Sequence, residues 1–193
     1  IYTSSGDFNF DLLKLIEQFD KKNRYNFLKE DNIKYSNINT QSYIKNIAKI
    51  WIKAQNKIIN SNDLSPLYNI FKTHSANVSI DTNNFTSAEV TKGAIYIVRD
   101  PREIVISFSK HRGSNIDETI DYMSNPASYF PPTKLNEIVF LSNWQIHFES
   151  WQKSNFPLLL IKYEDLILNA EKEISKIFNF LKDRLMIKLN NLD

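Results

Sequence analysis

Short apolar runs that stop at charged residues alternate with helical patterns over the second half of the chain. The runs are PLYNIFKTH, GAIYIVRDPRE and FPLLLIKYED, and each follows a turn residue. Continuous apolar runs of this length are typical of strands buried on both faces of a parallel sheet. Helical spacing of apolar residues predicts helices at residues 101–111, 116–123, 135–153 and 170–182. The alternation of strand and helix indicates an α/β domain with right-handed crossovers.

The first 60 residues have helical spacing and no such strands. Apolar residues recur at helical intervals in residues 8–20, and the Asn-rich residues 21–39 are predicted to form a loop. Thr40 is predicted to cap a longer helix, one face of which carries Tyr43, Ile47, Ile50, Trp51, Ala54 and Ile58. We interpret both helices as core packing. Because no repeat or low-complexity linker divides the chain, we predict one domain over residues 1–193.

Composition narrows the range of functions. The 24 Lys and Arg against 22 Asp and Glu give a net charge of +2, too small to imply nucleic-acid binding through bulk electrostatics. Without Cys there is no disulfide, thiolate nucleophile or thiolate metal site, and the three His lack metal-ligand spacing, so we expect no metal. No stretch approaches the ~20 apolar residues of a membrane span, and the N-terminus does not read as a signal peptide. These features predict a cytoplasmic protein without stable membrane insertion.

Glycine scarcity bears on nucleotide binding. The chain has three glycines, Gly6, Gly93 and Gly113, which are too scattered for a Walker or dinucleotide phosphate loop. Either the chain binds no nucleotide, or part of its nucleotide site lies outside this sequence.

Charged and titratable residues follow each predicted strand. The strand ends read Lys72-Thr73-His74, Arg99-Asp100-Pro101-Arg102 and Lys162-Tyr163-Glu164-Asp165. Because parallel strands end along one edge of a sheet, and ligands bind in the crevice outside it, these side chains are expected to converge. The pattern predicts a site for an anionic ligand that also contains a base able to act near neutral pH.

Two of these residues have both a functional and a structural interpretation. Arg99 precedes Pro101, a favourable first residue of a helix, so a guanidinium and a helix N-terminus together predict a phosphate or sulfate receptor. Alternatively, Arg99 forms an ion pair with Asp100 or Glu103, while Asp100 caps the helix. His74 is either a base or a structural histidine, and His111 and His147 are interpreted as structural.

Four segments resemble one known family in their order and spacing. The segments KTH, YIVRDPREIVISFSKH, NWQIHFESWQ and LLLIKYEDL, within about residues 67–182, resemble the sulfotransferase domain. That family transfers a sulfuryl group from 3′-phosphoadenosine-5′-phosphosulfate (PAPS) to a hydroxyl or an amine. The resemblance implies a three-layer α/β fold, with a central parallel sheet flanked by helices, of the P-loop nucleotide-hydrolase-like type. It also implies PAPS as co-substrate and no metal.

The resemblance assigns roles to five residues. His74 is implied to be the general base, and Lys72 is implied to position the donor and steady charge on the transferring group. Arg99 and Ser107, eight positions apart as in the family, are implied to bind the 3′-phosphate, and Tyr163 to lie beside the adenine. The acceptor is expected to be a small molecule or a glycan, and the oligomeric state is not predicted.

Two parts of the family pattern have no counterpart here. Nothing in residues 1–66 matches the family's Pro-Lys-Ser-Gly-Thr-Thr phosphate loop, and residues 190–193 end without its glycine-rich C-terminal segment. The sequence therefore predicts a fragment that is incomplete at both ends and that holds half of the donor site. Two alternatives stay open: a nucleotide-dependent phosphotransferase on a related fold, and a non-catalytic nucleotide-binding remnant.

Overall fold

A computed structural model describes residues 17–21, 40–59 and 70–187. Its first half contains β1 (Glu17–Gln18), α1 (Thr40–Ala48), α2 (Trp51–Ile59), β2 (Phe71–Lys72), β3 (Ser79–Ile80) and β4 (Asn83–Asn84). The second half begins with β5 (Ala94–Val98), α3 (Pro101–Arg112), α4 (Ile116–Ser124), β6 (Tyr129–Phe130), β7 (Val139–Phe140) and α5 (Trp144–Gln152). It ends with β8 (Leu158–Lys162), α6 (Tyr163–Leu168), α7 (Ala170–Asn179) and a π-helix (Phe180–Arg184).

The longest strand pair is β5 with β8. The two strands are parallel and in register from Ala94 opposite Leu158 to Val98 opposite Lys162. Parallel strands require a crossover connection, which here contains helices α3, α4 and α5. Strand β1 pairs in parallel with β2, so the described residues form an α/β fold, as predicted.

The core is aromatic and lies where α1, α2 and α5 meet. Phe85 packs edge-on against Phe19, Trp51 and Trp151, with ring centroids 5.3–6.3 Å apart. Ile47 is fully buried, which confirms the apolar face predicted for residues 40–58. The helix itself is divided, because Ile50 N donates to Ile47 O in a tighter turn between α1 and α2.

The predicted helix over residues 8–20 is wrong at its end. Residues 8–16 lie outside the described part of the chain, but Glu17 and Gln18 form a strand. Phe19 N donates to Lys72 O at 2.9 Å, and the Phe19 ring packs on Phe71 with centroids 6.3 Å apart. The extended backbone therefore satisfies the hydrogen bonds of β2 while still burying the aromatic ring.

The helix predicted over residues 135–153 begins only at Trp144. Residues before it are extended: Val139 and Phe140 pair with β6, and Asn136 bridges to Lys21. Glu137 is buried and accepts the Tyr43 hydroxyl, a contact that ties this segment to α1. Asn143 then caps α5 by accepting from Ile146 N at 2.8 Å. The helix predicted over residues 170–182 ends at Asn179, and the π-helix follows from Phe180.

The β5–β8 pair is covered on one face by the described residues. Tyr96 packs against Phe148 and Trp151 of α5. Ile95 and Ile97 point to the other side and are 38% and 52% exposed. Burial on both faces, predicted from the apolar run, is therefore not observed for these two side chains, because α5 packs on the Tyr96 side.

Candidate functional site

Arg99 lies where β5 ends and α3 begins, and it contacts the residues predicted to accompany it. Its Nη1 donates to Ser107 Oγ at 3.4 Å, and its Nη2 lies 3.5 Å from Glu103 Oε2. The guanidinium carbon lies 4.8 Å from the centroid of the Tyr163 ring, at the start of α6. The structure therefore brings Arg99, Ser107 and Tyr163 together. The ion pair between Arg99 and Glu103, the structural alternative for Arg99, forms as well.

Asp100 has the capping role that the sequence predicts. It accepts from Arg102 N at 2.9 Å, and its carboxylate also accepts from the Arg102 guanidinium. These hydrogen bonds lower the pKa of Asp100 to about 2. Asp100 therefore forms its ion pair with Arg102, whereas Arg99 forms its ion pair with Glu103.

Glu164 joins the ends of the two parallel strands. Its Oε1 accepts from Asp100 N at 3.0 Å, and this bond to the backbone is the first cause that lowers the pKa of Glu164. The bond fixes the start of α6 against the start of α3. It thereby sets the Tyr163 ring beside Arg99.

The surroundings of Arg99 suit an incoming anion. The Arg99 side chain is 31% exposed, and Ser107 is exposed. Its contacts to Ser107 and Glu103 are near the long limit of hydrogen-bond length, so they are weak. A phosphate can replace them with shorter charge-assisted bonds, aided by the positive end of the α3 dipole.

Lys72 ends β2, a strand of the other parallel pair, and His74 follows it two residues later. The His74 ring packs edge-on against Phe130, with centroids 6.3 Å apart. In the described part of the chain, the His74 ring nitrogens and the Lys72 ammonium have no hydrogen-bond partner. The side chain is at the surface, yet partial burial lowers the pKa of His74, Lys72 lowers it further, and Asp20 opposes both. His74 is therefore a neutral imidazole with a free lone pair near pH 7.

Helix α5 holds the segment that follows His74. His147 Nε2 lies 3.1 Å from His74 O, and Trp151 Nε1 donates to Ser75 O at 3.1 Å. Asn77 N donates to Ser150 Oγ at 3.0 Å. The spacing of residues 147, 150 and 151 places these groups on one helix face, which is the signal that sequence reasoning missed.

The Arg99 group at the end of β5 and the His74 group after β2 are linked through α5. In the described residues, β2 and β5 do not pair directly. Strand β2 pairs with β1, whereas β5 pairs with β8. The Tyr96 hydroxyl lies 2.9 Å from His147 Nδ1, so His147 contacts both β5 and the backbone of His74. The prediction of one shared sheet edge is met for Arg99 and Tyr163, while His74 is connected to them through His147.

The described residues contain neither a helix suited to a membrane nor a cluster of metal ligands. No helix among them has the length and apolar character that a membrane crossing requires. No group of three or more His, Cys, Asp or Glu among them is arranged to hold a metal ion.

Comparison with known proteins identifies the family. A family model described as the sulfotransferase domain matches residues 5–189, well beyond the segments that carry the motifs. An amine sulfotransferase from Oryctolagus cuniculus is 32% identical over 93 residues, or 47% of this chain. The match spans 30% of that relative's length. Together with the strand-end motifs in their expected order, the family match gives one conclusion: the chain belongs to the sulfotransferase domain family.

Proposed function

We propose that this chain carries a sulfuryl-transfer site that takes PAPS as donor and a hydroxyl or an amine as acceptor. The observation that carries the proposal is the meeting of Arg99, Ser107 and Tyr163 beside α3. The family match and the amine sulfotransferase relative support the reaction class. The proposal includes the three-layer arrangement around a central parallel sheet, of the P-loop-like type, in a single domain.

The donor side binds the nucleotide. Arg99 donates to the 3′-phosphate with the planar guanidinium that suits bidentate recognition, and Ser107 adds a hydroxyl donor. Tyr163 offers a ring face on which the adenine stacks. Such stacking does not require specific hydrogen bonds to the base. Glu103 then exchanges its long contact with Arg99 for solvent.

The base side carries out the proton transfer. His74 takes the proton from the acceptor hydroxyl or amine as the acceptor atom forms its bond to sulfur. The bond between sulfur and the bridging phosphate oxygen breaks, and 3′,5′-adenosine bisphosphate leaves with the electron pair. Lys72, beside the base, stabilises charge that spreads over the sulfuryl oxygens, as cations do in the related phosphoryl transfer.

A transfer assay tests this function on the natural full-length protein. Radiolabelled PAPS and, separately, radiolabelled ATP are supplied with a panel of small-molecule alcohols, phenols, amines and glycans. We expect label to move from PAPS to at least one acceptor and none to move from ATP. Phosphoryl transfer from ATP would indicate the related phosphotransferase. Binding of PAPS without transfer to any acceptor would indicate a non-catalytic nucleotide-binding domain.

A further inference from the structure

His147 occupies the junction between the donor strand and the base. Its Nε2 lies 3.1 Å from the carbonyl oxygen of His74, and its Nδ1 lies 2.9 Å from the Tyr96 hydroxyl. Tyr96 is on β5, three residues before Arg99, and its ring lies 5.7 Å from that of His147 at an interplanar angle of 30°. Both ring nitrogens therefore contact elements that carry proposed site residues.

The partners of His147 determine its tautomer. A carbonyl oxygen accepts but does not donate, so Nε2 must carry the proton. A neutral imidazole has one N–H, so Nδ1 keeps its lone pair and accepts from the Tyr96 hydroxyl. Burial keeps both groups neutral near pH 7, because it lowers the pKa of His147 and raises that of Tyr96 to about 12.

Both polar groups of the peptide between His74 and Ser75 are engaged: the carbonyl accepts from His147, and Ser75 N donates to Thr73 Oγ1 at 3.0 Å. The neighbouring backbone groups have other partners: Ser75 O accepts from Trp151 Nε1, and Ala76 N donates to Phe140 O. Among the described residues, the His74 carbonyl accepts from His147. Because the backbone angles determine which side-chain rotamers are allowed, a change in this bond can redirect the His74 side chain.

We propose that His147, oriented by Tyr96, is a positioning residue that directs His74 toward the acceptor and ties the base to the strand that carries Arg99. This inference rests on the proposed function, since it assigns a role in that reaction. It differs from the interpretation of His147 as a packing residue, because it requires the Nε2 donor and not only the shape of the ring.

Three variants distinguish the role of the His147 Nε2 donor from that of the shape of its ring. His147→Phe keeps an aromatic ring of similar size and removes both hydrogen bonds. His147→Gln places an amide donor near the position of Nε2. Tyr96→Phe removes the hydroxyl that orients the ring and leaves His74 and His147 in place. His111→Phe, on the exposed end of α3, is the matched control.

The experiment measures kcat, the affinity for 3′,5′-adenosine bisphosphate and the imidazole nitrogen shifts in the full-length protein. We expect His147 in the Nε2–H tautomer at neutral pH. Since a displacement of about 1 Å can cost up to ~100-fold, kcat should fall about 10- to 100-fold in His147→Phe, with nucleotide affinity unchanged. It should fall less in Tyr96→Phe, and recover to within a few-fold of wild type in His147→Gln.

Three results would overturn the proposal: an Nδ1–H tautomer, a wild-type kcat in His147→Phe, or a His147→Gln variant no better than His147→Phe while both fold. Failure of the proposed function gives a different pattern. If the wild-type protein transfers no sulfuryl group, the carbonyl shift of His74 still reports the positioning. That shift should change in His147→Phe and return in His147→Gln, and an unchanged shift would reject the positioning role.

Discussion

The Arg99 side and the His74 side of the site are held in place by different means. Arg99 is fixed by the boundary between β5 and α3, where Asp100 caps the helix and Ser107 follows eight residues later on the same helix. His74 follows a two-residue strand, and its backbone is held by a helix that begins 70 residues later in the chain. One side is built mainly by local structure, and the other by tertiary contacts.

This difference implies that the two functions can be separated by mutation. A change at the β5–α3 boundary should alter anion binding and leave the base where it is. A change at His74 or its supports should alter proton transfer and leave nucleotide affinity intact. His147 contacts both β5 and the His74 backbone and is therefore the point at which this separation is weakest.

The largest expected effect is at His74. His74→Ala removes a positioned base, which typically contributes ~10²–10⁴-fold, so kcat should fall by about that factor. The affinity for 3′,5′-adenosine bisphosphate should not change, because His74 does not contact Arg99 or Ser107. Steady-state kinetics and calorimetry measure the two quantities. His111→Ala is the control, and a fully active His74→Ala would rule out the base role.

An intermediate effect is expected at Ser107. Ser107→Ala removes one hydroxyl donor to the 3′-phosphate, and a hydrogen bond to a charged group contributes about 1.5–3 kcal/mol. Affinity for 3′,5′-adenosine bisphosphate should therefore fall roughly 10- to 100-fold, with kcat at saturating donor unchanged. Calorimetry on Ser109→Ala, which alters the buried side of the same helix, provides the comparison. An equal loss in both variants would point to a disturbed helix and not to a lost phosphate contact.

The smallest expected effect is a change in the pKa of His74. Burial and Lys72 keep this pKa below its ordinary value of 6.5, while Asp20 raises it. Lys72→Met removes a positive charge and should raise the pKa, and Asp20→Asn removes a negative charge and should lower it. An NMR titration of the His74 ring protons follows both changes. A wild-type pKa above 6.5, or shifts of the opposite sign, would contradict the electrostatic account.

The sequence predicted the Arg99 side well because its signals are local. A β-branched run, Arg99, a capping Asp100 and Pro101 specify a strand followed by a helix, and the structure has both. It predicted the His74 side less well. The short strands β1 and β7 were expected to lie in helices, because helical spacing of apolar residues does not reveal a pairing partner far away in the chain. His147 was interpreted as structural for the same reason: its partners are the hydroxyl of Tyr96 and a main-chain carbonyl, which a side-chain pattern does not show.

The most direct test of the account is a thermodynamic cycle that removes Arg99 from the protein and the 3′-phosphate from the ligand, separately and together. Calorimetry compares 3′,5′-adenosine bisphosphate with adenosine 5′-phosphate in the wild-type protein, in Arg99→Ala and in the control Lys110→Ala, which removes a positive charge from the exposed last turn of α3. Because hydrogen bonds to charged groups contribute about 1.5–3 kcal/mol, the wild type and the control should prefer the bisphosphate by roughly 10- to 100-fold. In Arg99→Ala this preference should largely disappear. If Arg99→Ala keeps the full preference, Arg99 does not bind the 3′-phosphate and the proposed donor site is wrong.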